Sequence, residues 1–113
     1  MFAMLMGLET ISPRDVYQLV EGKRVTVIDV NSRQSWERAH VPGALNLDPT
    51  SFAVAELPSD RNTGLVFYCS NPMCRKAPSA ARRARSLGYA NVKVMSAGIS
   101  GWLSAKLPTQ SGA

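Results

Sequence analysis

Cys69 closes an apolar run, Leu65-Val66-Phe67-Tyr68, and opens a loop, Ser70-Asn71-Pro72-Met73-Cys74-Arg75-Lys76-Ala77, that feeds a helix-forming segment from Pro78. A thiol at the carboxyl end of a buried strand, next to a helix N-terminus and two cations, sits where an α/β protein holds a nucleophile. Helix dipole, neighbouring cations and loop amides all favour the thiolate over the thiol. Between Ser70 and Ala77 the chain can curl so that successive N–H groups make a concave nest for an anion. The candidate binding residues are therefore Ser70, Asn71, Met73, Cys74, Arg75, Lys76 and Ala77, whereas Pro72 and Pro78 have no N–H to give. Arg75 can grip a tetrahedral oxyanion at two points, which suits a sulfur-oxygen or phosphorus-oxygen anion. The plainer reading of Cys69 is a small buried hydrophobe that ends a strand.

The other residues with chemistry to offer are few. Cys74 stands close enough along the chain to form a loop disulfide with Cys69, as a resolving thiol, or else it is an exposed loop residue without a role. With His40 as the single histidine, a zinc site is not expected, and neither a metal nor an organic cofactor is required. Within His40-Val41-Pro42-Gly43 the imidazole reads as a turn residue that fixes backbone, and Asp29 as a carboxylate that orders nearby amides. Trp36 and Trp102 read as core aromatics.

A net charge of +5 attracts anions, and its basic residues concentrate at Arg75-Lys76 and at Arg82-Arg83-Arg85. That placement beside the Cys69 loop favours a small anionic substrate, the alternative for the three helix arginines being a solvated face. Nucleic acid is not expected, because no aromatic-interleaved basic stripe accompanies the charge. The apolar start, Met1 to Met6, is too short for a signal core or a membrane span, so the expectation is a cytoplasmic protein with two free thiols and no membrane partner.

The elements that must position these groups alternate. Ser12-Pro13 starts a helix to about residue 21, closed by Gly22, and Val25 to Val30 is a β-branched run that reads as a buried parallel strand ending near Asp29. Ser32 caps a short helix through Trp36 and Arg38, Ala44 to Leu47 is a brief strand, and a helical turn is expected around Phe52 to Ala55. Then come the strand before Cys69, a helix from Pro78 to Leu87 capped by Gly88, a strand at Val92 to Met95, and a last helix from Gly98 to Ala105. Pro108 to Ala113 reads as a polar tail that frays. The fold class is α/β, a small and mostly parallel sheet with helices on both faces and chemistry at the carboxyl ends of the strands.

Five blocks together resemble the rhodanese family in order and spacing. They are Val27-Ile28-Asp29-Val30; Trp36 through Asn46 with its His40-Val41-Pro42-Gly43 turn; Tyr68-Cys69; Ala80-Ala81 to Tyr89 with Asn91-Val92; and Ala97-Gly98-Ile99-Ser100-Gly101-Trp102. The resemblance implies a rhodanese-like domain over residues 10–108, flanked by an N-terminal extension, 1–9, and the polar tail, 109–113. It further implies a sulfurtransferase in which Cys69 takes the outer sulfur of thiosulfate or a similar anionic donor as a persulfide. The sulfur then passes to a thiol, to cyanide or to a sulfur-accepting protein. Three departures stand out: Asn31 where the common strand continues with Arg, Ala39 where glycine usually precedes the histidine, and a thiol loop about two residues longer than the short form. The longer loop creates Cys69-x5-Arg75, the spacing of cysteine-dependent phosphatases and arsenate reductases, although Tyr68 and Lys76 replace their usual His and Ser or Thr. A non-catalytic binding or regulatory module of the same fold is the third reading.

Overall fold

Ser12 and Pro13 begin the first helix for reasons local to them: the Ser12 hydroxyl accepts from the Asp15 amide at 3.2 Å, and proline takes the first turn, where its missing N–H costs nothing. In the computed structural model, which describes residues 7–112, this helix, α1, spans Pro13–Glu21. Gly22 follows with a right-handed backbone, and the left-handed residue that turns the chain away is Lys23. The expectations for Met1 to Met6 lie outside the described residues.

Five strands form one parallel sheet: β1 Glu9–Thr10, β2 Thr26–Asp29, β3 Leu45–Asn46, β4 Leu65–Tyr68 and β5 Val92–Val94, in the spatial order β1-β5-β4-β2-β3. The edge strand β1 is an addition to the sequence-based reading, which assigned no strand to so short and polar a pair. β4 is the middle strand, and all four of its residues are buried, as a strand covered on both faces requires. Its side chains alternate. Leu65, Phe67 and Cys69 point to a core shared with Phe52, Tyr89 and the alanines of the helix after the thiol loop. Val66 and Tyr68 point to the opposite core, with Val16, Met95 and Trp102.

Helix α2 spans Arg33–Arg38, a 3-10 turn Val54–Glu56, α3 Lys76–Ser86 and α4 Gly98–Ser104. α3 starts two residues earlier than expected, because Pro78 falls in the first turn, where amides have no intrahelical partner to lose. Its apolar face is made of Ala77, Ala80, Ala81 and Ala84, small side chains that let the helix lie close on the sheet. The far end is closed by Gly88 at φ +103° and by Arg61, which donates from Nε to the Leu87 carbonyl at 2.9 Å and stacks over Tyr89.

Three expectations need correction. Trp36 is only half-buried; it stacks on His40 at 4.1 Å and donates to the Ala44 carbonyl, so it braces a turn, whereas Trp102 is fully buried. Among the described residues the tail is tied down: Gln110 pairs its backbone with His40 in both directions at 2.9 Å, and the Pro108 carbonyl accepts from Trp102 Nε1. Finally, two of the three helix arginines are tied away from the thiol loop. Arg83 donates to the Phe52 carbonyl and lies over its ring, and Arg85 reaches the Gly7 carbonyl.

Candidate active site around Cys69

β4 delivers Cys69 to the carboxyl edge of the sheet with 3% of its surface exposed. On one side, the first amides of α4 seize the chain as it leaves the strand: Ile99 N donates to the Cys69 carbonyl at 2.9 Å and Ser100 N to the Ser70 carbonyl at 3.0 Å. Gly98 makes this approach possible. It has a φ of +66°, and a Cβ there would stand 2.6 Å from the Ser70 carbonyl carbon. On the other side, Ser70 Oγ donates to Asn31 Oδ1 at 2.8 Å, and Asn46 Nδ2 donates to the carbonyls of Asp29 and Asn31. Asn31 thus anchors the thiol loop to the ends of β2 and β3.

The loop then turns sharply. Asn71 accepts at its backbone carbonyl from Cys74 N, 3.1 Å, and at its side-chain oxygen from Met73 N, 2.9 Å. Asn followed by Pro72 is a sequence suited to such a turn, the side chain copying a backbone acceptor and the ring presetting φ. The amides of Met73 and Cys74 are engaged inside the loop, and the Met73 side chain is 68% exposed at its tip. The turn brings the chain back on itself, and Cys74 is joined to Cys69 by a disulfide across a Cα–Cα distance of 6.4 Å. Two free thiols were expected; the loop disulfide was the alternative, and it is the one found.

Arg75 caps α3 and Lys76 opens it, both with exposed side chains. Lys76 also lines a groove of about 460 Å³ at the carboxyl ends of β2 and β3, together with Asn31, Ser32, Arg33, Asn46 and Asp48. Ala77 is buried against the core beneath the loop. Among the described residues no group of His, Cys, Asp and Glu is arranged to hold a metal ion, and no helix is long and apolar enough to cross a membrane.

Beneath the site lies a buried polar relay. Asp29 is fully buried; its Oδ1 accepts from the Asn31 amide at 2.7 Å and its Oδ2 from the Tyr68 hydroxyl at 2.7 Å, while that hydroxyl accepts from the Val41 amide. Burial raises the Asp29 carboxyl above the ordinary carboxylate range, and the hydrogen bonds from Tyr68 and Asn31 pull it part of the way back. Tyr68 is pushed upward by burial and by the charge of Asp29, so it stays a hydrogen-bond donor. Parallel register sets Asp29 directly beside Tyr68 and explains why they meet. His40 is 4% exposed, with Nδ1 2.6 Å from the Trp36 carbonyl, the turn-fixing geometry read from its neighbours. Asn31, Asn46 and Gly98 were not read from the sequence as supports of the loop. The one available signal was that they lie at strand ends or a helix start, which is shared by many residues without such roles.

A family profile described as a rhodanese-like domain matches residues 12–105. The HTH-type transcriptional regulator Rv0324 of Mycobacterium tuberculosis is 35% identical over 93% of this chain, which spans 46% of the length of that protein. The human thiosulfate:glutathione sulfurtransferase is 29% identical over 88% of the chain and 96% of its own length. Among solved structures, BH2092 protein from Bacillus halodurans superposes with a TM-score of 0.83 at 20% identity, over 96% of this chain and 80% of that one, a likeness of fold.

Proposed function

Because the chain belongs to the rhodanese-like domain family, we propose that it is a sulfurtransferase in which Cys69, freed from Cys74 by reduction, carries sulfur as a persulfide. The observation that carries this reading is the position of Cys69: nearly buried, at the carboxyl end of the central strand, opening a loop that leads into a helix N-terminus. The Cys69 thiolate attacks the outer sulfur of a thiosulfate-like donor. A new sulfur–sulfur bond forms as the donor's own breaks, and sulfite leaves with the bonding electron pair. An acceptor thiolate or cyanide then attacks the outer sulfur of the persulfide, and Cys69 departs as thiolate. Backbone amides of the Ser70–Ala77 segment other than those of Met73 and Cys74, which the Asn71 turn engages, stabilise the departing sulfite and the persulfide anion together with the charges of Arg75 and Lys76.

Intact-protein mass after reduction, removal of reductant and addition of thiosulfate tests this reading. The expected result is a gain of one sulfur atom, discharged by cyanide as thiocyanate and absent in Cys69→Ser. Failure to load, together with turnover of an aryl phosphate, would instead place the chain with the cysteine-dependent phosphatases. A second reading has one specific support, the similarity to a protein named as a transcriptional regulator: the domain serves as a binding or regulatory module. Inertness toward both thiosulfate and aryl phosphate would favour it.

A further inference from the structure

Cys74 sits on a built turn. The two hydrogen bonds to Asn71 and the proline between them fold Asn71–Cys74 back toward the strand end, and they leave the Cys74 sulfur bonded to the Cys69 sulfur itself. In a persulfide on Cys69, that atom is the inner sulfur. A Cα–Cα separation of 6.4 Å lies within the ordinary range for a disulfide, so the loop reaches this arrangement with its backbone as it stands. Cys74 is half-buried against the core, and two cations, Arg75 and Lys76, follow it in the chain.

We propose that Cys74 is an internal resolving thiol that discharges the Cys69 persulfide as hydrosulfide. The inference rests on the sulfur-transfer reading of Cys69 and adds a fate for the sulfur. The Cys74 thiolate attacks the inner sulfur, a bond forms between Cys69 and Cys74, and the bond from Cys69 to the outer sulfur breaks. The proton of the Cys74 thiol passes to the terminal sulfur of the persulfide anion as the Cys74 thiolate forms, and that sulfur then leaves with the electron pair as hydrosulfide. The cycle closes when a dithiol reductant attacks the more exposed sulfur, Cys74, and Cys69 departs as thiolate. The second reductant thiol then attacks the mixed disulfide and returns Cys74 as a thiol. Summed over the cycle, thiosulfate and a dithiol give sulfite, hydrosulfide, a disulfide and one proton released to solvent, with the dithiol supplying both electrons. The partner class that follows is a small dithiol protein or dithiol metabolite, and the acceptor step needs no external nucleophile.

Wild-type protein and Cys74→Ser, both reduced, stripped of reductant and kept free of oxygen, are given thiosulfate and followed by intact mass and by hydrosulfide assay. In the wild type the one-sulfur adduct should decay, with hydrosulfide and the Cys69–Cys74 disulfide appearing together in equal amounts. In Cys74→Ser the adduct should persist at least about tenfold longer, since the attacking group is intramolecular in one protein and missing from the other. Cys74→Ala should match Cys74→Ser, which separates loss of the thiol from any effect of the hydroxyl. If the adduct is equally long-lived in wild type and variants, internal resolution is overturned while sulfur transfer at Cys69 stands. If no protein forms an adduct, both fall.

Discussion

Asp29 carries no exposed surface, and three segments depend on it: its own strand end through the Asn31 amide, β4 through Tyr68, and through that hydroxyl the Val41 turn. Since burial raises its titration in the folded state, the folded protein binds the proton more tightly than the unfolded chain. Stability attributable to this group is therefore greatest in acid and is lost as pH rises from the ordinary carboxylate range through the raised value. The expected outcome is that Asp29→Asn flattens this fall, seen by urea unfolding in a series of buffers from mildly acidic to neutral; parallel curves for wild type and variant would exclude Asp29 as its source. At the same scale, Arg75→Ala should raise KM for thiosulfate by roughly tenfold with the nucleophile intact, the loss of one charge-assisted anion contact. An unchanged KM would assign the anion pocket to Lys76 and the loop amides.

Between residue and molecule, the element that matters most is the start of α4. Its amides at Ile99 and Ser100 hold the carbonyls of Cys69 and Ser70, and Gly98 lets the two chains approach. A methyl group at Gly98 meets backbone rather than a movable side chain, and the positive φ adds strain of its own. Gly98→Ala should cost about 1–3 kcal/mol of stability. It should lower kcat for sulfur transfer by roughly a hundredfold, because displacing the strand end by an ångström moves the reacting sulfur. Thermal unfolding beside steady-state kinetics separates the two effects; a stability loss with unchanged kcat would mean that the loop does not need this clamp. α3 behaves differently. Its alanine face and glycine-arginine ending are local packing and capping, and two of its arginines serve the fold rather than a bound anion.

At the scale of the whole molecule, the tail closes the structure. Pro108 accepts from the indole of the fully buried Trp102, and Gln110 pairs with His40 and accepts from the Gly43 amide through its side chain. Truncation after Leu107 leaves a buried indole N–H without its acceptor and should cost about 1–3 kcal/mol, measured by denaturant unfolding; no change would show that solvent replaces the tail at no cost. The elements themselves were legible because their causes are local: Ser12-Pro13 and Ser32 cap helices, the β-branched run from Thr26 and the apolar run from Leu65 demand burial on both faces, and Gly88 ends α3. So was the placement of Cys69 where a strand end, a loop and a helix start adjoin in the chain. What no stretch of sequence contained was pairing across space. Register alone sets Asp29 beside Tyr68, and the topology alone brings Gly98 against the Ser70 peptide and Asn31 under its hydroxyl. Local preferences decide which element a segment forms, whereas contacts between distant segments are decided by how the elements bury their apolar faces together.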